Sequence, residues 1–171
     1  IRVTSPNWSM DNFECIPIGP RTIEAEEYYE TSGVDTVISE DGEQFIASIG
    51  EGKYANYRLI LRSAGTYNLG LKVSCPRTNG TIRVEDGNGN ILARYQLPKT
   101  SEIGNKERKW YEVNKYVKLN EGVNTIKVFA ESYSWDIEKL VFSHKTPAII
   151  EGQDISDTNT AIVENGMVTF K

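Results

Sequence analysis

Residues 54–74 read YANYRLILRSAGTYNLGLKVS, and apolar and polar side chains alternate through most of this segment. Ser63-Ala64-Gly65 interrupts the alternation with residues that are typical of a tight turn. A period of two indicates half-buried β-strands. The segment therefore predicts two strands, each with its apolar residues on one face. These residues are Tyr57, Leu59 and Leu61, then Tyr67, Leu69, Leu71 and Val73.

The same alternation continues further along the chain. Its apolar positions are Ile82 and Val84, then Ile91, Ala93, Tyr95 and Leu97, then Ile126, Val128 and Ala130. Asp86-Gly87-Asn88-Gly89 lies between two such runs and predicts a β-hairpin. No amphipathic helix of ten residues is evident in the sequence. Many short strands separated by turns predict an all-β fold, an antiparallel β-sandwich.

The two ends of the chain differ from the middle. Residues 1–21 show little periodicity and are expected to form a linker or packing segment, while residues 22–143 form the sandwich module. Residues 144–171 are expected to form a linker or an extra hairpin around Asn165-Gly166. The chain has no initiator Met and no signal peptide, which predicts a processed or excised piece of a larger protein.

Composition argues against several classes of partner. The net charge is −5 and no basic patch is evident, whereas nucleic acids and anionic membrane surfaces require one. No apolar run is long enough to span a bilayer. We expect a monomer. Cys15 and Cys75 either form a disulfide in an oxidising compartment or remain two buried thiols.

The sequence offers little material for catalysis. His144 is the one histidine, and it follows the last strong strand, so an exposed loop residue is its ordinary interpretation. One histidine and two separated cysteines do not make a usual zinc site. Acidic residues are too numerous for a catalytic carboxylate pair to be recognised. We therefore expect no catalytic activity.

Short motifs in a fixed order resemble family 6 carbohydrate-binding modules. They are Ile23 to Tyr28, Gly33-Val34, Gly52 to Tyr57, Ser63 to Tyr67, Trp110, Leu119 to Gly122 and Asp136 to Leu140. The resemblance covers residues 22–143, and family 35 modules look similar. It implies a jelly-roll, galactose-binding-like sandwich with a structural calcium and a sugar cleft among the loops at one end. It also implies a secreted microbial glycoside hydrolase that the module holds on xylan, β-glucan, agarose or a related polysaccharide.

Three acids match the calcium site that the resemblance implies. Glu24 and Glu26 are two residues apart, so in a strand they point to the same face and repel each other unless a cation lies between them. The third acid is Glu138, where the family more often has Asp or Asn. The alternatives are a solvated acidic strand edge or pairing of the acids with Lys139.

Tyr54 is the first candidate for sugar stacking. It matches the family's stacking aromatic in a Gly-Asp-Trp/Tyr motif and is out of phase with Tyr57, Leu59 and Leu61, so it should not point inward. Sugars stack their C–H faces on aromatic rings, and polar groups nearby bind their hydroxyls. The alternative is a tyrosine that lies over the edge of the sandwich.

Trp110, Trp135 and Asp136 complete the expected rim site. The family's second stacking position falls on Glu107, so either the site is one-sided or Trp110 takes over that role across a shortened loop. The phase of the strand places Trp110 on the face opposite Tyr111 and Val113, which favours its exposure. Asp136 matches a ligand-binding Asn and would accept hydrogen bonds from sugar hydroxyls. Trp135 is either a further aromatic platform or a tryptophan packed under the final loop.

Three functions compete at this point. The first is a polysaccharide-targeting module of a larger hydrolase, which requires Tyr54, Trp110 and Trp135 to be exposed near one rim. The second is a structural sandwich that packs against a catalytic domain and binds no sugar. The third is a small lyase or hydrolase, which requires a deep cleft with paired acids.

Overall fold

The structure, a computed structural model, describes residues 19–47, 49–102, 108–132 and 135–145, and the backbone of residues 161–164 and 167–170. These residues form two antiparallel sheets that pack face to face, and a separate two-stranded ladder. The predicted all-β sandwich is confirmed. Among the described residues, no helix is long and apolar enough to cross a membrane.

The six-stranded sheet has the order β3-β4-β11-β6-β9, and β1 also pairs with β11. Its strands are β1 (Arg21–Glu24), β3 (Asp35–Ile38), β4 (Gln44–Ala47), β6 (Gly65–Ser74), β9 (Tyr111–Leu119) and β11 (Asp136–His144). The five-stranded sheet has the order β2-β5-β10-β7-β8. Its strands are β2 (Glu30–Thr31), β5 (Tyr54–Leu61), β7 (Thr81–Asp86), β8 (Ile91–Gln96) and β10 (Gly122–Ala130). The separate ladder joins β12 (Ala161–Glu164) and β13 (Met167–Phe170).

The core lies between the two sheets and includes residues that the alternation predicted, together with others such as Ile46, Leu140 and Phe142 that it did not. All of the predicted inward-facing side chains are buried except Ile91, which is 47% exposed. The register between β7 and β8 shifts at this point, because Val84 pairs with Ala93 but Glu85 pairs with Ile91. The bulge places Leu92 against the core instead.

Two tyrosines of the core have their hydroxyl groups satisfied. Tyr57 donates to the carbonyl oxygen of Ala25 at 2.7 Å, and Tyr95 donates to that of Leu69 at 2.8 Å. Burial raises the pKa of both phenols above its ordinary value. A buried hydroxyl without an acceptor would be costly, so these bonds fix the position of each ring in the core.

Several expectations fall on residues outside the described part of the chain. They concern Cys15, Glu107, the turn Asn165-Gly166 and most of residues 1–21. Cys75 is buried, and whether it pairs with Cys15 stays open.

The predicted turn between β7 and β8 is organised by Asp86. Its Oδ1 accepts hydrogen bonds from the backbone N–H groups of Asn88 and Asn90 at 2.8 and 2.9 Å. Its Oδ2 accepts one from the side chain of Asn90 at 2.8 Å. Gly89 has a φ of 82°, which a residue with a Cβ adopts at a cost. The bond from the Asn90 side chain, together with those from the backbone, lowers the pKa of Asp86.

Replacing Asp86 tests this turn. Asp86→Ala should lower the free energy of unfolding by roughly 1–2 kcal/mol, because it removes a charged acceptor of several hydrogen bonds. Since folding lowers the pKa of Asp86, its contribution is present above the ordinary Asp pKa and is lost as pH falls through the lowered value. Urea unfolding at several pH values measures this. Asp86→Asn, which keeps one oxygen acceptor, is the control; a pH-independent difference between Asp86→Ala and wild type would contradict the assignment.

Candidate functional site

Tyr54 lies on the outer face of the five-stranded sheet. It is the first residue of β5 and pairs directly with Phe129 of β10. Ala55 and Tyr57 are buried in the core, so alternation turns the side chains of Tyr54 and Asn56 outward. The outward direction of Tyr54 agrees with the expectation. The residue lies at the end of a strand, next to the turn at residues 51–52, and whether sugar stacks on it stays a prediction.

Polar side chains surround the Tyr54 ring. The Tyr54 hydroxyl donates to Glu30 Oε1 at 3.4 Å, and the Asn56 amide donates to Glu30 Oε2 at 2.8 Å. The Lys127 ammonium lies 4.3 Å from the Tyr54 ring centroid and 5.6 Å from that of Phe129. We call the surface formed by Glu30, Tyr54, Asn56, Lys127 and Phe129 the five-stranded face.

The charges that border this face neutralise one another. Arg83 pairs with Glu85 at 2.6 Å and with Glu131 at 2.9 Å, and its guanidinium lies 4.3 Å from the Phe129 ring centroid. Arg94 also pairs with Glu131, at 3.0 Å. Partial burial raises the pKa of Glu131, but hydrogen bonds from Arg94 and Arg83 outweigh it and hold the pKa below its ordinary value. Paired charges beside two aromatic rings suit an uncharged, hydroxyl-rich ligand.

Trp110 lies elsewhere, beside the six-stranded sheet. A cleft of about 590 Å³ opens between the β3–β4 hairpin and residues 108–110, and Trp110, Phe45 and Arg108 line it. Trp110 is half-buried and meets Phe45 edge to face, with ring centroids 5.5 Å apart. Trp110 directly precedes β9. Tyr111, the first residue of that strand, is 55% exposed, so the face that it shares with Val117 and Leu119 is buried only towards the other end of β9.

Asp136 is bonded to Arg108, one of the residues that line this cleft. The Nε of Arg108 donates to Asp136 Oδ2 at 2.7 Å. The guanidinium carbon of Arg108 lies 4.4 Å from the centroid of the Phe45 ring. The carboxylate that was expected to accept from a sugar is therefore already bound by a cation of the same chain.

Trp135 is fully buried, with none of its surface exposed. Its Nε1 donates to the carbonyl oxygen of Ser132 at 3.0 Å, and its own carbonyl oxygen accepts from Ile49 N at 3.1 Å. The expectation of a Trp135 sugar platform is wrong for this structure. The alternative, a tryptophan packed beneath the final loop, describes it.

The three expected calcium ligands lie close together but not as predicted. β1 ends at Glu24, and Glu27 N donates to Glu24 O at 3.0 Å, so the chain turns and Glu26 is not in the strand. Oε2 of Glu26 is buried and has no hydrogen-bond partner among the described residues. Burial raises the pKa of Glu24, and the carboxylates of Glu26, Glu138 and Glu27 raise it further while Lys139 opposes them.

Glu138 is held by two lysines. Lys72 contacts both of its carboxylate oxygens at 2.7 Å, and Lys139 approaches Oε1 at 3.2 Å. In the described part of the chain, no three His, Cys, Asp or Glu side chains are arranged to hold a metal ion. The orphaned oxygen of Glu26 beside Glu24 fits a cation, whereas Glu138 is already neutralised by its lysines.

Comparison with known families identifies the chain. The model of family 6 of the carbohydrate-binding modules matches residues 24–144, which is more than two thirds of the sequence. The chain belongs to this family. The predicted family and the predicted non-catalytic, carbohydrate-binding role are thereby confirmed at this level. Among curated proteins, no significant match was found.

Solved structures share the fold of this family 6 module. The C-terminal family 6 module of LamC, a laminarinase from Zobellia galactanivorans, is 22% identical, with a TM-score of 0.65 over 72% of this chain and 98% of that one. The module from lichenase 5A of Cellvibrio mixtus, solved with cellotriose, is 20% identical, with a TM-score of 0.66 over 74% and 98%. A family 35 module from Clostridium thermocellum is 22% identical, with a TM-score of 0.59 over 73% and 98%.

Sequence reasoning missed Phe129, Lys127, Arg108 and Phe45 in this module. Phe129 could have been found, because it stands between Val128 and Ala130, both predicted to face the core. An aromatic residue between two inward positions must face outward. Nothing in the sequence could show that Arg108 reaches Phe45, since these residues are distant along the chain.

The buried position of Trp135 yields a stability test. Trp135→Ala should lower the free energy of unfolding by about 3–5 kcal/mol, since it removes a large side chain from a packed core. Tyr54→Ala should cost about 1 kcal/mol or less, because a side chain on the outer face has fewer contacts. Chemical denaturation of both variants gives the two values. Equal, small losses would show that Trp135 is not a core residue.

Proposed function

We propose that this module holds a covalently linked glycoside hydrolase on a polysaccharide by stacking a sugar ring against the five-stranded face. One observation carries the proposal: Tyr54 and Phe129 occupy directly opposed positions on β5 and β10, and both are half-buried on the outer face of the sheet. Opposed residues of an antiparallel pair have Cβ atoms about 4.5–5.5 Å apart, so the two side chains are neighbours on this face, with Lys127 over the Tyr54 ring and Arg83 over the Phe129 ring.

The groups around these rings match the hydroxyls of a sugar. Glu30 offers carboxylate oxygens as acceptors, and Asn56 and Lys127 offer donors. The Lys127 ammonium covers the Tyr54 ring, but its side chain is long, flexible and partly exposed. Ring stacking requires Lys127 to move aside, after which it can donate to a hydroxyl at the edge of the bound sugar.

The five-stranded face is a better candidate than the cleft beside Trp110. In the cleft the Phe45 ring is 1% exposed, because Arg108 and Trp110 cover it, and Asp136 is already bound by Arg108. On the five-stranded face, Lys127 is the one cation over the Tyr54 ring among the described residues, and its nearest carboxylate oxygen is 3.7 Å away. It is therefore held less tightly than Arg108.

A β-linked glucan or a xylan is the ligand that we propose, with agarose as a further candidate. Support comes from the similar modules of a laminarinase and of a lichenase, the latter solved with cellotriose. A module linked to such an enzyme works where the polymer is, so we propose that the protein is secreted. Stacking of a single sugar predicts a dissociation constant between micromolar and millimolar, or about −8 to −4 kcal/mol.

Tyr54→Ala tests the proposed surface. It should weaken binding of cello-, laminari- or xylo-oligosaccharides about tenfold or more, which corresponds to about 1.4 kcal/mol. The reason is that truncation of a central aromatic removes most of the stacking contact. Isothermal titration calorimetry and affinity electrophoresis on soluble polysaccharides measure the change.

Two controls accompany this variant. Tyr54→Phe keeps the ring and loses only the 3.4 Å bond to Glu30, so it should bind nearly as wild type. Trp110→Ala removes an aromatic residue from the other sheet and should leave the affinity unchanged. Undiminished binding by Tyr54→Ala would refute the proposal that sugar binds on the five-stranded face. Failure of the wild type to bind any polysaccharide would favour a structural module instead.

We further propose that Glu24 and Glu26 hold a structural calcium ion. A divalent cation would supply charge neutralisation between the two carboxylates, with Glu138 remaining on its lysines. The buried Oε2 of Glu26, which has no hydrogen-bond partner in the described part of the chain, and the raised pKa of Glu24 both support a cation at this place. Calcium prefers carboxylate and carbonyl oxygens in flexible geometry.

Chelation should then lower the melting temperature, and calcium should restore it. A cation that binds only the folded state at about a hundred times its dissociation constant adds about 2.7 kcal/mol, which amounts to several degrees. Glu26→Gln should lose the response to calcium, whereas Glu51→Gln, at an exposed turn residue, should keep it. Identical melting curves with and without calcium would refute the proposed calcium site. They would not affect the assignment of the fold.

A further inference from the structure

Phe45 is an aromatic residue that is buried without belonging to the core between the sheets. Its neighbour Ile46 is part of that core, so alternation along β4 turns Phe45 to the outer side of the six-stranded sheet. There it is only 1% exposed. Residues 108–110 run over it and form the wall of the cleft described above.

Arg108 is the side chain that covers the face of this ring. Its guanidinium carbon lies 4.4 Å from the Phe45 ring centroid, while Trp110 meets the ring at an interplanar angle of 72°. A guanidinium over an aromatic face is attracted by the negative face of the ring, and more strongly when water is excluded. Trp110 closes one side of the ring, so Arg108 occupies the stacking face itself.

Asp136 fixes Arg108 in this position. The bond from Arg108 Nε to Asp136 Oδ2 is 2.7 Å long, and the two side chains are 28% and 14% exposed. A charge-assisted hydrogen bond at this distance and burial is stronger than one between neutral groups. Arg108 is therefore held at both ends, by a ring and by a carboxylate.

These two contacts are the ones that a sugar would need. A sugar stacks its C–H face on an aromatic ring and donates hydroxyl hydrogen bonds to an acceptor such as Asp136. We propose that Arg108 excludes sugar from this cleft by occupying both places, and that it is thus the residue that confines binding to the five-stranded face. This inference rests on the proposed function, because it concerns which of two surfaces takes the polysaccharide.

Truncation of Arg108 should convert the cleft into a second sugar site. Arg108→Ala would uncover the Phe45 face next to Trp110, in a cleft of about 590 Å³, and would remove the 2.7 Å bond to Asp136 Oδ2. This volume lies within the roughly 300–1,000 Å³ range of small-molecule sites. Apolar side chains of Val37 and Ile38 complete the wall.

The experiment counts binding sites by isothermal titration calorimetry with cello-, laminari- and xylo-oligosaccharides. The wild type should show one site and Tyr54→Ala essentially none. Arg108→Ala should show two sites, and Tyr54→Ala/Arg108→Ala should recover one. Lys109→Ala, which removes a neighbouring cation of the same cleft, should match the wild type. Adding Trp110→Ala to the double variant should abolish the recovered site.

The outcomes separate the two proposals. If Arg108→Ala is folded by circular dichroism and binds with wild-type stoichiometry, while the double variant binds nothing, the inference is overturned. Should Arg108→Ala fail to fold, Arg108→Gln is used instead, because it keeps most of the side-chain stem without its charge. The same numbers of binding sites are then expected for Arg108→Gln as for Arg108→Ala. If the wild type binds no sugar but Arg108→Ala does, sugar binding on the five-stranded face is refuted, and exclusion of sugar from the cleft by Arg108 is supported. If no variant binds sugar, both fail.

Discussion

Each strand of a sandwich shows its side chains alternately to the core and to solvent, and the rest of this structure depends on that constraint. Leu59, Ile126 and Val128 must face the other sheet, because they bury their apolar surface there. The side chains of the residues between them therefore point to the outer face of the sheet. Tyr54 and Phe129 are brought side by side in this way, so the proposed binding surface is a by-product of how the core is built.

The two outer faces use aromatic rings differently. On the five-stranded sheet, the cation over the Tyr54 ring is Lys127, whose nearest carboxylate oxygen is 3.7 Å away, while Arg83 lies over Phe129. On the six-stranded sheet, Arg108 is bonded to Asp136 at 2.7 Å and covers Phe45. The lysine side chain is flexible and can move aside, whereas the planar guanidinium of Arg108 is held by both Phe45 and Asp136. A protein side chain thus fills, in the cleft, the position that a ligand would take.

The sequence was sufficient for the sheet pattern and insufficient for the site. Nearly every residue that the alternation placed in the core is buried there, since burial and period two are local properties. The exception is Ile91, where a bulge shifts the register. The outward phase of Tyr54 was also predictable. The burial of Trp135 and the capture of Asp136 by Arg108 were not, because each depends on contacts between distant segments. Likewise, the turn after Glu24 could not be read from two carboxylates spaced as in a strand.

The central claim is that polysaccharide lies on the five-stranded face, and a titration followed by amide chemical shifts in two-dimensional NMR tests it most directly. With a β-linked oligosaccharide, we expect the largest shifts at residues 54–56 and 127–129, and little change at residues 37–45 and 108–110. The opposite distribution, with shifts concentrated around the cleft and none on β5 or β10, would contradict it.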